Sequence, residues 1–239
     1  SFIYFLCFGL TLLVFHPIQW ICFNLFGPKA HQKSVFALQF SLMRCANLLG
    51  TRFSFNNPHK LDPERPLIIV ANHQSLHDIY PLTWYMRKQH PRFISKIELG
   101  KGIPSVSYNL RHGGAALIDR KNPRQSLPAL MKFGEYIEKN NYAAVIFPEG
   151  TRNIGDDPLL PFKTGLFHLA SQRPDVDLVP VWIENLNQVM PKGEIFPIPL
   201  ICTVRFGEAL RLEADEDKDA FLERSHAALL ALKDSGDTA

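Results

Sequence analysis

The hydrophobic and polar positions divide the chain into an apolar start and a longer alternating remainder. Residues 1–28, SFIYFLCFGLTLLVFHPIQWICFNLFGP, contain no Lys, Arg, Asp or Glu. A run of this length can just cross a bilayer as a helix. We expect Pro17 to kink or end that helix, because proline lacks the backbone N–H. No small-residue cleavage site follows, which disfavours a removable signal peptide.

The segment from His31 to Leu49 has the pattern of an amphipathic helix. At helical spacing, one face of this segment is apolar, and polar residues lie between its members in the sequence. The apolar face consists of Val35, Leu38, Leu42, Cys45 and Leu49. The two segments predict a membrane anchor of two helices over residues 1–50, in which residues 2–26 enter the bilayer fully or as a shallow dip. The alternative is a very apolar core helix. If the run inserts, the cations that follow it place that side in the cytoplasm: Lys29, Lys33, Arg44 and Arg52.

From Thr51 onward, short β-prone runs alternate with helical patterns. Strands are predicted at 66–70, 92–96, 115–118, 143–147, 178–183 and 200–206. Helices are predicted at 125–139, with Pro128 in the first turn, at 163–173 and at 216–233. This alternation predicts an α/β domain over residues 51–233, with a central, mostly parallel sheet flanked by helices on both faces. Residues 234–239 are expected to be a disordered tail.

Composition and charge narrow the classes of partner. Hydrophobic residues make up 46% and charged residues 21%, as in ordinary globular proteins. The net charge of +3 and the lack of basic runs disfavour nucleic acid. The histidines are scattered, so we expect no metal site. The cysteines show no CxxC spacing, which predicts reduced thiols in a cytosol-facing protein: Cys7, Cys22, Cys45 and Cys202.

Three predicted strands end in polar clusters. PLIIVA runs into NHQSLHD (72–78), AALI into DRK (119–121), and AAVIF into PEGTR (148–152). Ligand sites in open α/β sheets gather beyond the carboxyl ends of strands, so we expect the clusters to share one site. Together they place a histidine–carboxylate pair beside Arg120 and Arg152, which indicates an anionic substrate that undergoes proton transfer.

The chemistry follows partly by exclusion. The chain has no GxSxG, HExxH, GxGxxG or GxxxxGK[ST] motif, which disfavours the commonest hydrolases, zinc proteases, dinucleotide-binding proteins and P-loop proteins. A histidine held by an aspartate can take a proton from a hydroxyl that attacks a carbonyl. Arginine binds phosphate through its planar fork. The residues therefore predict acyl transfer onto a phosphorylated acceptor, which the apolar start suggests is a lipid. Spacing alone leaves both His73 and His77 as partners for Asp78.

These motifs resemble those of the glycerolipid acyltransferase family, specifically the bacterial 1-acylglycerol-3-phosphate (lysophosphatidic acid) acyltransferases. NHQSLHD is similar to the NHx4D box, which assigns the base to His73 and its partner to Asp78. GAALIDR (114–120) is similar to the second box, which ends in the arginine. IFPEGTR (146–152) matches the third box, and LVPVWI (178–183) resembles the fourth. The resemblance covers roughly residues 66–210.

The resemblance implies a reaction and a set of site residues. His73, oriented by Asp78, would deprotonate the sn-2 hydroxyl of lysophosphatidic acid, which then attacks the thioester of acyl-CoA or acyl-carrier protein to give phosphatidic acid. No cofactor is implied. The implied location is the bacterial inner (cytoplasmic) membrane, with the active site on the cytoplasmic side. The implied acceptor-binding residues are Arg120, Glu149, Gly150, Thr151 and Arg152.

Several alternatives stay open on sequence. His77 is expected to have a supporting or surface role, and Glu149 either bonds the acceptor glycerol or orders its loop. The two arginines could instead form surface ion pairs with Asp119 or Glu149. The acceptor could be another lysophospholipid, lyso-ornithine lipid or glycerol-3-phosphate. From other classes, the chain could be a non-catalytic lipid-binding module or a lipid hydrolase.

Overall fold

Two long helices open the computed structural model, which describes residues 2–153, 155–189 and 198–235. Helix α1 (Phe2–Phe26) and helix α2 (Pro28–Asn47) form a hairpin that turns at Gly27, where φ is 81°. Of the two expectations for Pro17, that it ends the helix is wrong, because α1 continues past it; a kink there stays a prediction. Two polar groups of α1 that precede Pro17 form hydrogen bonds with Ser105, which lies outside the helix. The Ser105 hydroxyl donates to the Leu12 carbonyl (2.5 Å) and its N–H to His16 Nδ1 (3.1 Å).

The remaining elements confirm the predicted alternation of strands and helices. In chain order they are β1 (Arg52–Asn56), β2 (Leu67–Ala71), α3 (Ile79–Tyr85), β3 (Arg92–Lys96), α4 (Val106–His112), β4 (Ala116–Ile118), α5 (Pro123–Asn140), β5 (Ala143–Ile146), α6 (Gly165–Ser171), β6 (Asp177–Ile183), α7 (Leu186–Val189), β7 (Ile201–Phe206) and α8 (Lys218–Asp234). The described strands form one sheet in the order β1-β7-β6-β2-β5-β3-β4. Only β6 and β7 pair antiparallel among them. The mostly parallel α/β fold is confirmed.

The structure differs from the sequence prediction at several elements, and helices α3, α4 and α7 were not predicted. Strand β1 was missed, since its RFSFN sequence lacks Val and Ile; it pairs with β7 at the edge of the sheet. Helix α5 begins at Pro123, so Pro128 lies inside the helix rather than in its first turn. Proline fits the first helical position because no N–H bond is needed there. Helix α8 extends to Asp234, and residues 236–239 of the predicted tail lie outside the described residues.

The sheet is buried on both faces, as parallel sheets require. In β2, Leu67, Ile69 and Ala71 join the core cluster that contains residues of α3 and α7. Ile68 and Val70 join the cluster formed with α5, α6 and α8. All five residues of β2 are buried, so the loop that follows this strand starts from a rigid position in the middle of the sheet.

The α1–α2 hairpin packs on one side of the sheet through an apolar cluster. Leu12, Leu38 and Leu42 share this cluster with Tyr80 of α3. The rest of α1 is largely uncovered: only 11% of its most apolar window is buried, at a mean hydropathy of 1.8. The structure therefore does not place α1 as a core helix. Its 25 residues span about 37 Å, enough to cross a bilayer core of about 30 Å.

Candidate active site

The loop after β2 fixes a carboxylate through its own backbone. It enters a short 3₁₀ helix, Leu76–Asp78, in which Ser75 is the N-cap. The Asp78 Oδ2 atom accepts hydrogen bonds from the N–H groups of Gln74 (2.8 Å) and Ser75 (2.9 Å), and the Ser75 hydroxyl accepts from the His77 N–H (3.3 Å). This reciprocal capping box holds the fully buried Asp78 in place.

His73 is the histidine that pairs with this carboxylate. Its Nδ1 lies 2.8 Å from Asp78 Oδ2, and its ring stacks on Phe147 at a centroid distance of 4.2 Å. Since Oδ2 already accepts two backbone N–H groups, Nδ1–H is the donor in this third bond. The lone pair of Nε2 then stays free to take a proton. The His73 side chain is 17% exposed, so the ring is held in place yet reachable.

His77 has the supporting role that sequence left as one of two alternatives. It is buried, and its Nε2 lies 2.8 Å from the hydroxyl of Tyr4 on α1. Its Nδ1 lies 3.2 Å from Ser75 Oγ. Burial lowers the pKa of His77, although the nearby Asp78 charge opposes this, so the ring is neutral at pH 7. His77 therefore joins the first helix to the loop that carries the His73–Asp78 pair.

Removing the Tyr4 hydroxyl should destabilise the contact between α1 and the loop of His77. Tyr4→Phe leaves the buried Nε2 of His77 without a partner, and we expect the free energy of unfolding to fall by about 1–3 kcal/mol. Adding His77→Phe should recover part of the loss, because neither partner is then left unpaired. Thermal unfolding in neutral detergent measures both variants, with Tyr85→Phe as control. A double variant as unstable as the sum of the two single variants would contradict the pairing.

Glu149, in the loop after β5, ties that loop to the loop after β2. It is 1% exposed; its Oε1 accepts from the His73 N–H (2.7 Å) and its Oε2 from the Leu160 N–H (3.0 Å). Burial raises the pKa of Glu149, while these two hydrogen bonds lower it. The Asn153 N–H also donates to the His73 carbonyl (2.8 Å). These contacts support the loop-ordering role, and acceptor binding by Glu149 stays a prediction.

The structure brings the other predicted site residues together beside His73. Arg120 donates from its guanidinium to the Gly150 carbonyl, across the loops after β4 and β5. Gly150 has φ 70°, a left-handed conformation that glycine adopts without strain. Arg120, Thr151 and Arg152 line the same cavity as His73. Neither arginine forms an ion pair with a carboxylate in the described part of the chain, so the surface-pair alternative is not observed.

The cavity has a volume of about 440 Å³, within the usual range for small-molecule sites. The cavity extends from His73, Arg120 and Arg152 into the space between β3 and the α1–α2 hairpin. Its apolar walls include Leu12, Val35, Leu38, Leu42, Val106 and Leu110. A base, two cations and an apolar channel suit proton removal from the hydroxyl of an anionic amphiphile.

No candidate metal site accompanies the cavity in residues 2–153, 155–189 and 198–235. In these ranges no group of three His, Cys, Asp or Glu side chains is placed to hold an ion. The four cysteines are free thiols.

Comparison with known proteins decides the family. The sequence profile described as Acyltransferase matches residues 52–184, more than half of the 239 residues. The chain belongs to the acyltransferase family. The matched range contains the His73–Asp78 pair and the loops of Arg120 and Arg152. The family recognised from four ordered motifs is thus confirmed.

Individual acyltransferases agree with this assignment. The chain is 32% identical to human 1-acyl-sn-glycerol-3-phosphate acyltransferase beta over 182 residues, which are 75% of this chain and 64% of that protein. It is 36% identical to 1-acyl-sn-glycerol-3-phosphate acyltransferase of Saccharomyces cerevisiae over 137 residues, 56% of this chain and 44% of that one. The chain thus spans less than two thirds of the length of these relatives.

A solved acyltransferase structure shows the same fold. The crystal structure of PlsC, the 1-acyl-sn-glycerophosphate (LPA) acyltransferase of Thermotoga maritima, superposes with a TM-score of 0.77. The superposition covers 98% of this chain and 94% of that one, at 21% sequence identity. The coverage includes the N-terminal hairpin, so the two-helix start is part of the shared architecture.

Proposed function

We propose that this protein transfers a fatty acyl group from acyl-CoA or acyl-carrier protein to the sn-2 hydroxyl of lysophosphatidic acid, making phosphatidic acid. The observation that carries the proposal is the His73–Asp78 pair, joined at 2.8 Å, which opens on the same cavity as Arg120 and Arg152. The printed names of the human and yeast relatives support this choice of acceptor.

The reaction needs one base that works in both directions. His73 Nε2 takes the proton of the acceptor hydroxyl as its oxygen forms a bond to the thioester carbonyl carbon. The tetrahedral intermediate then breaks its carbon–sulfur bond, and the leaving thiolate takes the proton back from Nε2. Asp78 holds the ring in the required tautomer and stabilises the imidazolium between these steps.

The oxyanion of the intermediate needs hydrogen-bond donors close to His73. The Gly150 N–H donates to the Phe147 carbonyl. No described hydrogen bond uses the N–H groups of Thr151 and Arg152, and both residues line the cavity. We propose that these two amides stabilise the oxyanion.

Replacing either cavity arginine should weaken acceptor binding. For Arg120→Gln and Arg152→Gln we expect the KM for lysophosphatidic acid to rise about 10- to 100-fold, because each removes a charged hydrogen bond to phosphate. The KM for the acyl donor should change little. Steady-state kinetics with each substrate varied in turn makes the measurement. The control is Arg124→Gln, an exposed arginine of α5 that does not line the cavity. Unchanged acceptor KM in both variants would remove the phosphate assignment.

Helix α1 is proposed to hold the protein in the membrane. Leu13 and Val14 lie at its centre and are 57% and 56% exposed. A charge at the middle of an inserted helix costs about 2.5–3.5 kcal/mol, so Leu13→Glu and Val14→Glu should each reduce vesicle association more than about tenfold. Flotation with phosphatidylcholine vesicles measures this. The matched control is Leu48→Glu, a 63% exposed leucine beyond α2. Equal flotation of all variants would rule out α1 as the membrane contact.

One assay separates the proposal from its competitors. Purified protein in detergent is given labelled acyl-CoA or acyl-carrier protein with a panel of lysolipids. Transfer to lysophosphatidic acid is expected. Preferred transfer to lyso-ornithine lipid or glycerol-3-phosphate would change the acceptor, and thiol release without any acceptor would indicate a hydrolase. Lipid binding without turnover would indicate a non-catalytic module. We place the reaction on the cytoplasmic face of a bacterial inner membrane.

A further inference from the structure

The cavity does not end at the catalytic residues. Strand β3 lines it along its whole length, from Lys96 at the carboxyl end, where the active site lies, to Arg92 at the amino end. Four residue steps in a strand correspond to about 13 Å. Along the opposite wall, α2 lines the cavity from Pro28 to Leu42, or about 21 Å of helix. The cavity thus has a second end at the opposite edge of the sheet from His73.

Basic side chains from three elements gather at this second end. We call them the distal cluster: Lys29 and His31 of α2, Arg92 of β3 and His112 of α4, all of which line the cavity. The Phe23 ring joins two of them, with centroid distances of 4.8 Å to His112 and 5.6 Å to His31.

Two buried nitrogen atoms of the distal cluster are left without hydrogen-bond partners in the described part of the chain. His31 is 2% exposed, and its buried Nε2 has no hydrogen-bond partner among the described residues. The buried Nε of Arg92 is in the same situation. Helix α2 starts beside them with no side-chain cap on its first-turn N–H groups. Uncapped N–H groups and the dipole at a helix start attract anions.

No carboxylate pairs with the distal cluster among the described residues. None of its four residues takes part in the described ion pairs. Burial first, and then the positive charges of His112 and Arg92, lower the pKa of His31 to about 4. Arg92 donates from Nη1 to the Pro91 carbonyl (3.2 Å) and lies over the Tyr142 ring (4.5 Å to the centroid), but its Nε has no partner among the described residues. An anion at this end would thus meet an unpaired N–H group and the fixed charges of Lys29 and Arg92.

We propose that the distal cluster binds the anionic headgroup of a membrane lipid whose chain lies in the cavity. The apolar walls between the two ends accept a chain but no free anion. Exposed Lys29 and His112 show that the cavity reaches the surface here, next to the uncovered end of α1, where Leu25 is 68% and Phe26 70% exposed. This site goes beyond the proposed transfer, in which Arg120 and Arg152 hold the acceptor phosphate.

The test uses a dodecyl phosphate that carries a photoreactive diazirine on the carbon next to the phosphate, so that labelling reports the headgroup position. The full chain carries His73→Ala, which makes the result independent of any transfer activity. In neutral detergent we expect labelled peptides from the start of α2 and from α4, in addition to those around Arg120 and Arg152.

The distal label should depend on the distal cations alone. Lys29→Ala changes an exposed side chain, and Lys29→Ala with Arg92→Gln removes both fixed charges. We expect about tenfold less distal labelling in the double variant and unchanged labelling beside Arg152. Lys33→Ala, an exposed lysine of the same helix that does not line the cavity, should label normally.

Competition distinguishes the possible sources of the anion. Excess unlabelled dodecyl phosphate should remove the distal label, whereas dodecyl maltoside and inorganic phosphate should not. Full competition by inorganic phosphate would mean that the site binds a free anion. Full competition by dodecyl maltoside would mean that binding does not depend on the charge of the headgroup. Either result, or distal labelling that survives in the Lys29→Ala and Arg92→Gln variants, overturns the proposal.

Discussion

His73→Ala is expected to lower the turnover number by about 10²–10⁴-fold, the usual contribution of a general base. Alanine cannot take the proton of the acceptor hydroxyl, and no second base replaces it, because Nε2 of His77 is occupied by Tyr4. The KM values should change little, since the arginines proposed to bind the phosphate are intact. Initial rates of phosphatidic acid formation at saturating substrates give the measurement.

The matched control is His59→Ala, an exposed histidine that does not line the cavity. Its turnover should equal that of the unaltered protein. Thermal unfolding should show that His73→Ala stays folded, since the side chain lost is partly exposed and stacks on one aromatic ring. A folded His73→Ala protein with near-normal turnover would require another base.

Asp78→Asn is expected to reduce turnover to a similar degree and also to reduce stability. The Oδ2 atom of Asp78 accepts three N–H bonds at once, from His73, Gln74 and Ser75. A neutral amide cannot stabilise the imidazolium as a carboxylate does. If the amide oxygen takes the place of Oδ2, the NH₂ group replaces Oδ1, a buried atom without a hydrogen-bond partner among the described residues, and a buried donor is left unpaired. We expect about 10²–10⁴-fold slower turnover and about 1–3 kcal/mol less free energy of unfolding.

Asp119→Asn serves as the control for Asp78→Asn. Asp119 belongs to the second motif but does not line the cavity, and its carboxylate accepts only the Lys121 N–H (3.0 Å) among the described hydrogen bonds. Steady-state rates and thermal unfolding are measured on both variants. If Asp78→Asn lost stability but kept its turnover, the carboxylate would be a structural cap and not the partner of the base.

The placement of the candidate site followed from sequence because of a general property of parallel sheets. The loops that begin at Asn72, Asp119 and Pro148 each follow a strand, and parallel strands bring such loops to one edge. Hydrophobic runs located the strands well, since a fully buried strand is apolar at every position. The edge strand β1 alternates polar and apolar residues over only five positions, which is too short a pattern to decide.

Contacts between segments that lie far apart in the sequence could not be predicted from it. The hydroxyl of Tyr4 meets His77 across 73 positions, and neither residue has a neighbour that signals the other. The distal cluster likewise assembles from α2, β3 and α4. The local capping box was different: Ser75 followed three residues later by Asp78 is a readable pattern, and it identifies which atoms orient the carboxylate.

The hydrogen bond from Tyr4 to His77 means that the N-terminal hairpin is not an interchangeable module. An unrelated apolar helix grafted over residues 2–26 would reproduce the proposed membrane contact but would lack the Tyr4 hydroxyl that bonds His77 in the loop of Asp78. Removing the hairpin altogether would also uncover one wall of the cavity, which Leu38 and Leu42 provide. Chimeras therefore need to keep the inward-facing residues of both helices, whereas the outward-facing residues that the structure describes make no contact with the α/β domain that a replacement has to preserve.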